Sequence, residues 1–157
     1  MKARTRSIIE SVRGKLEQVS GAPGYINTFT KVEGGRRRFD EQELTAGVCV
    51  CVAYGGTSLG SKAPGAAQQI SELTLVIEAH KHKTPGVDVQ SEGLDLLADI
   101  EAAALGNTSY LAQPYVMRQG MLNESEDVQI SEDGNAIIAT SVISIPFIKQ
   151  YAKPHEE

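Results

Sequence analysis

Apolar positions recur at helical spacing near the start of the chain and with a period of two over several later stretches. Ile8, Ile9, Val12, Leu16 and Val19 fall on one face, with Arg13, Lys15, Glu17 and Gln18 on the other, so residues Thr5 to Ser20 are predicted to form an amphipathic helix. Gly21-Ala22-Pro23-Gly24 ends it. Tyr25 to Val32 is rich in β-branched and aromatic residues and predicts a short strand or extended arm, followed by a turn at Gly34-Gly35 and an acidic, polar turn at Asp40-Glu41-Gln42-Glu43. From Gly47 to Tyr54 both sets of alternate positions are apolar, Val48, Val50 and Val52 against Cys49, Cys51 and Ala53. That pattern predicts a central strand covered on both sides.

Gly55 to Ala67 is rich in Gly, Ser and Pro, has no period, and reads as a long loop. Gln69 to Lys81 alternates Leu73, Leu75, Ile77 and Ala79 with Glu72, Thr74, Val76, Glu78 and His80, a long strand broken at Thr84-Pro85-Gly86. Ser91 to Leu105 predicts a second helix, with Ser91 as N-cap and Gly106-Asn107 at its end. Its stripe is Leu94, Leu97, Ile100, Ala103 and Ala104, while Asp95, Asp99 and Glu101 are expected to face water. Strands are expected near Tyr115–Gln119 and Val128–Ile130, separated by a loop or bulge at the acidic, exposed 123–127 run. A hairpin turn is expected at Ser131 to Asn135, with Gly134 and Asn135 at positive φ, then a last strand from Ala136 to Gln150. Pro146 cannot donate to a ladder, which marks an edge or bulge there. Residues 152–157 read as a frayed tail.

A length of 157 residues suits one domain, and such a chain buries roughly 70% of its unfolded surface without needing a disulfide or metal. The chain has no Trp and only 5% aromatic residues, so the core must be aliphatic. A net charge of -5 with no broad basic block argues against non-specific nucleic-acid binding as the main role. Side chains two apart in a strand lie roughly 6–7 Å apart. Cys49 and Cys51 are therefore poorly placed for an intrachain disulfide and fit buried thiols in a reducing compartment. The basic start is not followed by an apolar signal region, and no apolar run is long enough for a bilayer.

Candidate chemistry is sparse. Gly55 to Lys62 ends Gly-Ser-Lys, not in the Gly-Lys-Ser/Thr order of a phosphate-binding loop. His80 and His82 share one face of an extended segment and read as a solvated strand end; a metal needs more ligands, and the third histidine, His155, lies in the tail. Carboxylate pairs such as Asp95/Asp99 fall on a polar helix face. No catalytic residue, metal ligand or cofactor is expected. The most suggestive cluster is Arg36-Arg37-Arg38. It is expected to contact Asp40, Glu41 and Glu43, or Glu124, Glu126 and Asp127, of a neighbouring subunit, with Lys62 as a further contact. Patches of opposite sign on one chain favour head-to-tail contacts that close into rings.

These features follow a familiar order. A basic turn leads into Phe39-Asp40-Glu41-Gln42-Glu43-Leu44 and an apolar strand, and then a Gly-rich loop precedes the strand from Leu73 to Ala79. The helix Asp95-Leu96-Leu97-Ala98-Asp99-Ile100-Glu101-Ala102 and a C-terminal hairpin complete it. Over nearly its whole length the chain resembles the tail terminator proteins of long-tailed bacteriophages, the minor tail protein U type. One departure is Thr45-Ala46-Gly47, where a Pro-led entry into the strand is expected. The resemblance implies an α+β domain with a mixed, mainly antiparallel sheet and two helices. It also implies a virion protein forming a ring, of hexamer type, that caps the tail tube, stops its polymerisation and joins the head. Its partners would be itself, the tail tube protein and the head–tail connector or neck proteins. Genomic DNA would pass through without specific binding. The Pro146 strand and the Gly55–Ala67 loop are the expected exposed contacts. Two other readings stay open: another neck or tail-assembly component, and a small ligand-binding domain.

Overall fold

The computed structural model describes residues 2–21, 24–60 and 65–151. In chain order its elements are α1 (Arg4–Leu16), β1 (Phe29–Gly34), α2 (Glu41–Ala46), β2 (Val48–Leu59), β3 (Gln68–His82), α3 (Val89–Glu101), β4 (Leu122–Ile130) and β5 (Ala136–Gln150). The strands form one mixed sheet in the order β1-β2-β3-β5-β4. β1 and β2 run parallel, and the other neighbouring pairs are antiparallel. This is the expected α+β domain with two long helices, to which the short α2 is an addition.

The apolar stripes explain the layering. Ile8, Val12 and Leu16 of α1 and Leu96, Leu97 and Ile100 of α3 are buried against one face of the sheet, where they meet Val50, Val52, Leu73, Leu75, Ile77, Ile143, Ile145 and Phe147. Each such side chain contributes about 1.5–3 kcal/mol on burial, so the aliphatic face is the main support of the fold. On the opposite face Cys49 and Cys51 pack with Phe39 and Leu44 in a separate small cluster. β2 is thus covered on both sides, as its two apolar faces predict.

Several expectations are corrected. The run Asp40-Glu41-Gln42-Glu43, expected as a polar turn, starts α2 as a capping box. The Asp40 side chain accepts from the Glu43 N–H, and the Glu43 side chain accepts from the Asp40 N–H, an arrangement worth about 1 kcal/mol. The first five residues of the expected Gly55–Ala67 loop are strand, and its residues 61–64 lie outside the described ones. β2 runs on to Leu59, and a register shift between Tyr54 and Thr57 absorbs the glycine pair. Gly47 takes the place of the expected proline. Its φ of +150° joins α2 to β2, and a Cβ there would lie 2.4 Å from Thr30 Cγ2, so only glycine fits.

The second helix begins earlier than expected, with Asp88 as N-cap, and Ser91 donates to the Asp88 carboxylate. Its last turn widens to a π-helical turn at Ala102–Gly106. Leu94, expected in the stripe, is 52% exposed, and Leu96 takes its place in the core. Tyr115–Gln119 is not a strand: Val116 makes one isolated bridge to Phe147, and Arg118–Gly120 is a 3-10 turn. The acidic run 123–127 lies inside β4, where Glu124 is the bulged residue between Asn123 and Ser125. The 131–135 turn forms as expected, with Gly134 alone at positive φ there.

β5 is an interior strand of the sheet, but at Pro146 it has run past β4, which is the local edge that the proline suggests. The β4 ladder ends at Ser144, and beyond it the Pro146 carbonyl accepts from the Met117 N–H. The side of Pro146 that lacks a donor therefore faces the point where the ladder has stopped. Among the described residues no helix is long and apolar enough to cross a membrane. Lys62 and the 152–157 tail lie outside the described residues.

Candidate subunit-contact surfaces

Residues 35–40 leave the end of β1 and pass over the uncovered face of the sheet as a strap. Arg36 forms an ion pair with Glu78 on β3, its Nε and a terminal nitrogen 3.3 and 3.2 Å from the two carboxylate oxygens. The Arg37 guanidinium stacks 4.6 Å above the Phe39 ring and donates to both Glu43 oxygens at 2.7 and 2.8 Å. Lys31 reaches the same carboxylate at 2.6 Å. With the Lys31 ammonium and the Asp40 N–H beside it, the Glu43 carboxyl is held down to a pKa of about 2. Arg38 meets Glu132 at 3.3 Å, but both side chains are more than four-fifths exposed, so the pair is worth little and exchanges readily.

The strap is held down by an apolar anchor. Phe39 is buried and meets the His80 ring edge-on, centroids 5.1 Å apart. His80 is 6% exposed, not the solvated strand end expected, and its burial lowers its pKa. His82 stays half-exposed, 3.1 Å from Glu41.

The candidate contact residues therefore divide. Arg37, Asp40 and Glu43 are brought together within the chain, where they hold α2 and the strap in place. Arg36 is engaged with Glu78 yet remains outward at 67% exposure, and Arg38 is outermost. Glu124, Glu126 and Asp127 lie exposed on β4, the last strand of the sheet order. An open groove of about 600 Å³ runs between this strand and α3, with Leu94 and Ile130 on its walls. Bulges and charges on an edge strand deter pairing with another like edge, but an acidic edge remains complementary to a basic surface.

Asp99 is the functional-looking side chain that sequence reasoning misplaces. It is 2% exposed, and its two oxygens accept from the Ile26 N–H at 2.8 Å, the Asn27 N–H at 2.7 Å and the Asn27 side-chain amide at 3.0 Å. It clamps the segment before β1 onto α3. The chain also carries Gly56-Thr57-Ser58-Leu59-Gly60, the Gly-x-Ser-x-Gly spacing of a hydrolase nucleophile elbow. The elbow places its serine on a sharp strand-to-helix turn, whereas Ser58 sits within the β2 ladder opposite Glu72.

In class, the chain is a two-layer α+β domain, covered by two helices on one sheet face and by a short strap and α2 on part of the other. Compared with protein-family models and with curated proteins, it matches none.

Proposed function

We propose that the chain is a ring-forming structural protein of the tail terminator kind, acting in a virion as a cap on the tail tube and as the surface that meets the head. The observation that carries the reading is a pair of distinct surfaces of opposite sign. One is the exposed acidic edge of β4. The other is the strap bearing Arg36 and Arg38. Different patches on one chain meet head-to-tail, and such contacts close into a ring when the rotation allows. Of the two acidic groups considered as the strap's target in a neighbour, the Asp40–Glu43 group is consumed within the subunit. The β4 group is the one left facing outward. A tube cap also needs a rigid sheet that presents its edge, and the long β3–β5 ladder supplies that rigidity.

Charge reversal tests this contact. The triple variant Glu124→Lys, Glu126→Lys, Asp127→Lys is expected to fold as the parent does and to lose self-association. Adding Arg38→Glu should restore part of it. Sedimentation velocity reads both results. A triple variant that assembles as the parent does would remove the β4 edge from the proposal.

A further inference from the structure

The sequence spacing suggests pairing Cys49 with Cys51 and His80 with His82, but the strand register makes a different set. Across the β2–β3 ladder Cys51 lies directly opposite Glu78 and Cys49 directly opposite His80, all on one face. One ligand atom from each of Cys51, Glu78 and His80 lies within 4.8 Å of the other two. The geometry points to a divalent-cation site of the zinc type, built from the Cys51 sulfur, a Glu78 oxygen and an imidazole nitrogen of His80.

Four observations support it. First, the donor set of thiolate, imidazole and carboxylate is the one zinc accepts, and three protein ligands leave the fourth tetrahedral position for water. Second, one spacing fits. Zinc–sulfur and zinc–oxygen bonds at a tetrahedral angle place the two ligand atoms about 3.5 Å apart, and the Cys51 thiol, which donates to Glu78 Oε1, has its sulfur 3.7 Å from that oxygen. Third, His80 Nε2 is buried and has no hydrogen-bond partner, a cost that a native core rarely accepts without a role for the atom. Fourth, Arg36 donates to both oxygens of Glu78, as outer partners do when they orient a ligating carboxylate. Metal binding displaces the Cys51 thiol proton to solvent. His80 is also one of the residues lining an open groove of about 340 Å³ between the strap and the β4–β5 turn. Cys49 is turned elsewhere, its thiol donating to the Glu43 and Gly47 carbonyls.

The test is titration of the full chain with Co²⁺, followed by competition with Zn²⁺. One ion per chain is expected, with the sulfur-to-cobalt charge-transfer absorption of a thiolate ligand. Cys51→Ser should abolish that band, while Cys49→Ser should keep it. Arg36→Ala, which removes only the positioning partner, should weaken affinity by about tenfold. Since Cys51→Ser alters a buried group, its fold is checked by circular dichroism. The parent chain gives an independent readout: Zn²⁺ should raise its melting temperature, and EDTA should reverse the rise. The proposal is overturned if the parent shows neither band nor melting shift. It is equally overturned if the band survives Cys51→Ser or disappears in Cys49→Ser.

Discussion

Replacing Asp99 by alanine is expected to destabilise the domain by about 3 kcal/mol, since hydrogen bonds to a charged group are worth about 1.5–3 kcal/mol and each orphaned buried donor costs about 1–3 kcal/mol. The carboxylate receives three N–H groups from Ile26 and Asn27, two of them backbone. Removing it leaves those donors facing a gap at the base of α3. For a chain of this size that loss lowers the melting temperature by about 6–12 °C. Asp99→Asn keeps an acceptor oxygen but turns an amide toward the donors, and it should fall between parent and alanine variant. Chemical denaturation of the three proteins gives the result. The denaturant slope should be unchanged, because the clamp acts in the native state. An alanine variant with the parent's midpoint would show that the segment before β1 is held by other contacts. The Asn27 side-chain oxygen also accepts from Lys81, which pairs with Glu92. Some of the effect therefore reaches β3 and the start of α3.

Gly93→Ala should destabilise by about 1–3 kcal/mol, the usual range for overpacking, although the same change on an exposed helix surface gains up to about 1 kcal/mol. A Cβ at position 93 would lie 2.3 and 2.7 Å from the two methyl carbons of Val128, closer than real atoms approach. Either α3 or β4 must move. β4 is the strand that can yield, being at the sheet's margin and bulged at Glu124. Val128→Ala removes both methyls and leaves only the Cβ of residue 128 at 3.1 Å, so the double variant should be more stable than the sum of the single effects by about 1–2 kcal/mol. A double-mutant cycle with no coupling would mean the two elements do not pack as described. Because the shift falls on the acidic edge, Gly93→Ala should also weaken self-association more than its stability loss alone explains.

These residues show where the sequence was readable. Strands β3 and β5 were legible because each has an apolar side facing one core, and α1 because its stripe repeats at helical spacing. Of β4 only the end, the expected strand at Val128–Ile130, was legible, because an edge strand bearing Asn123, Glu124, Ser125, Glu126 and Asp127 buries too little to show alternation. α2 is six residues with no buried position. Its one signal was the Asp40-x-x-Glu43 capping box, which resembles a polar turn unless that spacing is read. Asp99 occupies a water-facing helical position by spacing, and only the folding back of residues 26–27 supplies its donors. His80 is buried by Phe39, which lies 41 positions earlier in the chain, a contact no local pattern encodes. The charge clusters were visible as residues. Their division into an internal staple and outward-facing charges was set by which acid each arginine could reach.

Native mass across a range of protein concentrations, with negative-stain images of the same samples, tests the proposed head-to-tail assembly into a closed ring. A discrete oligomer with a ring outline, or a monomer that becomes one on purified tail tubes, is expected. A chain that stays monomeric at every concentration and never caps tubes would contradict it.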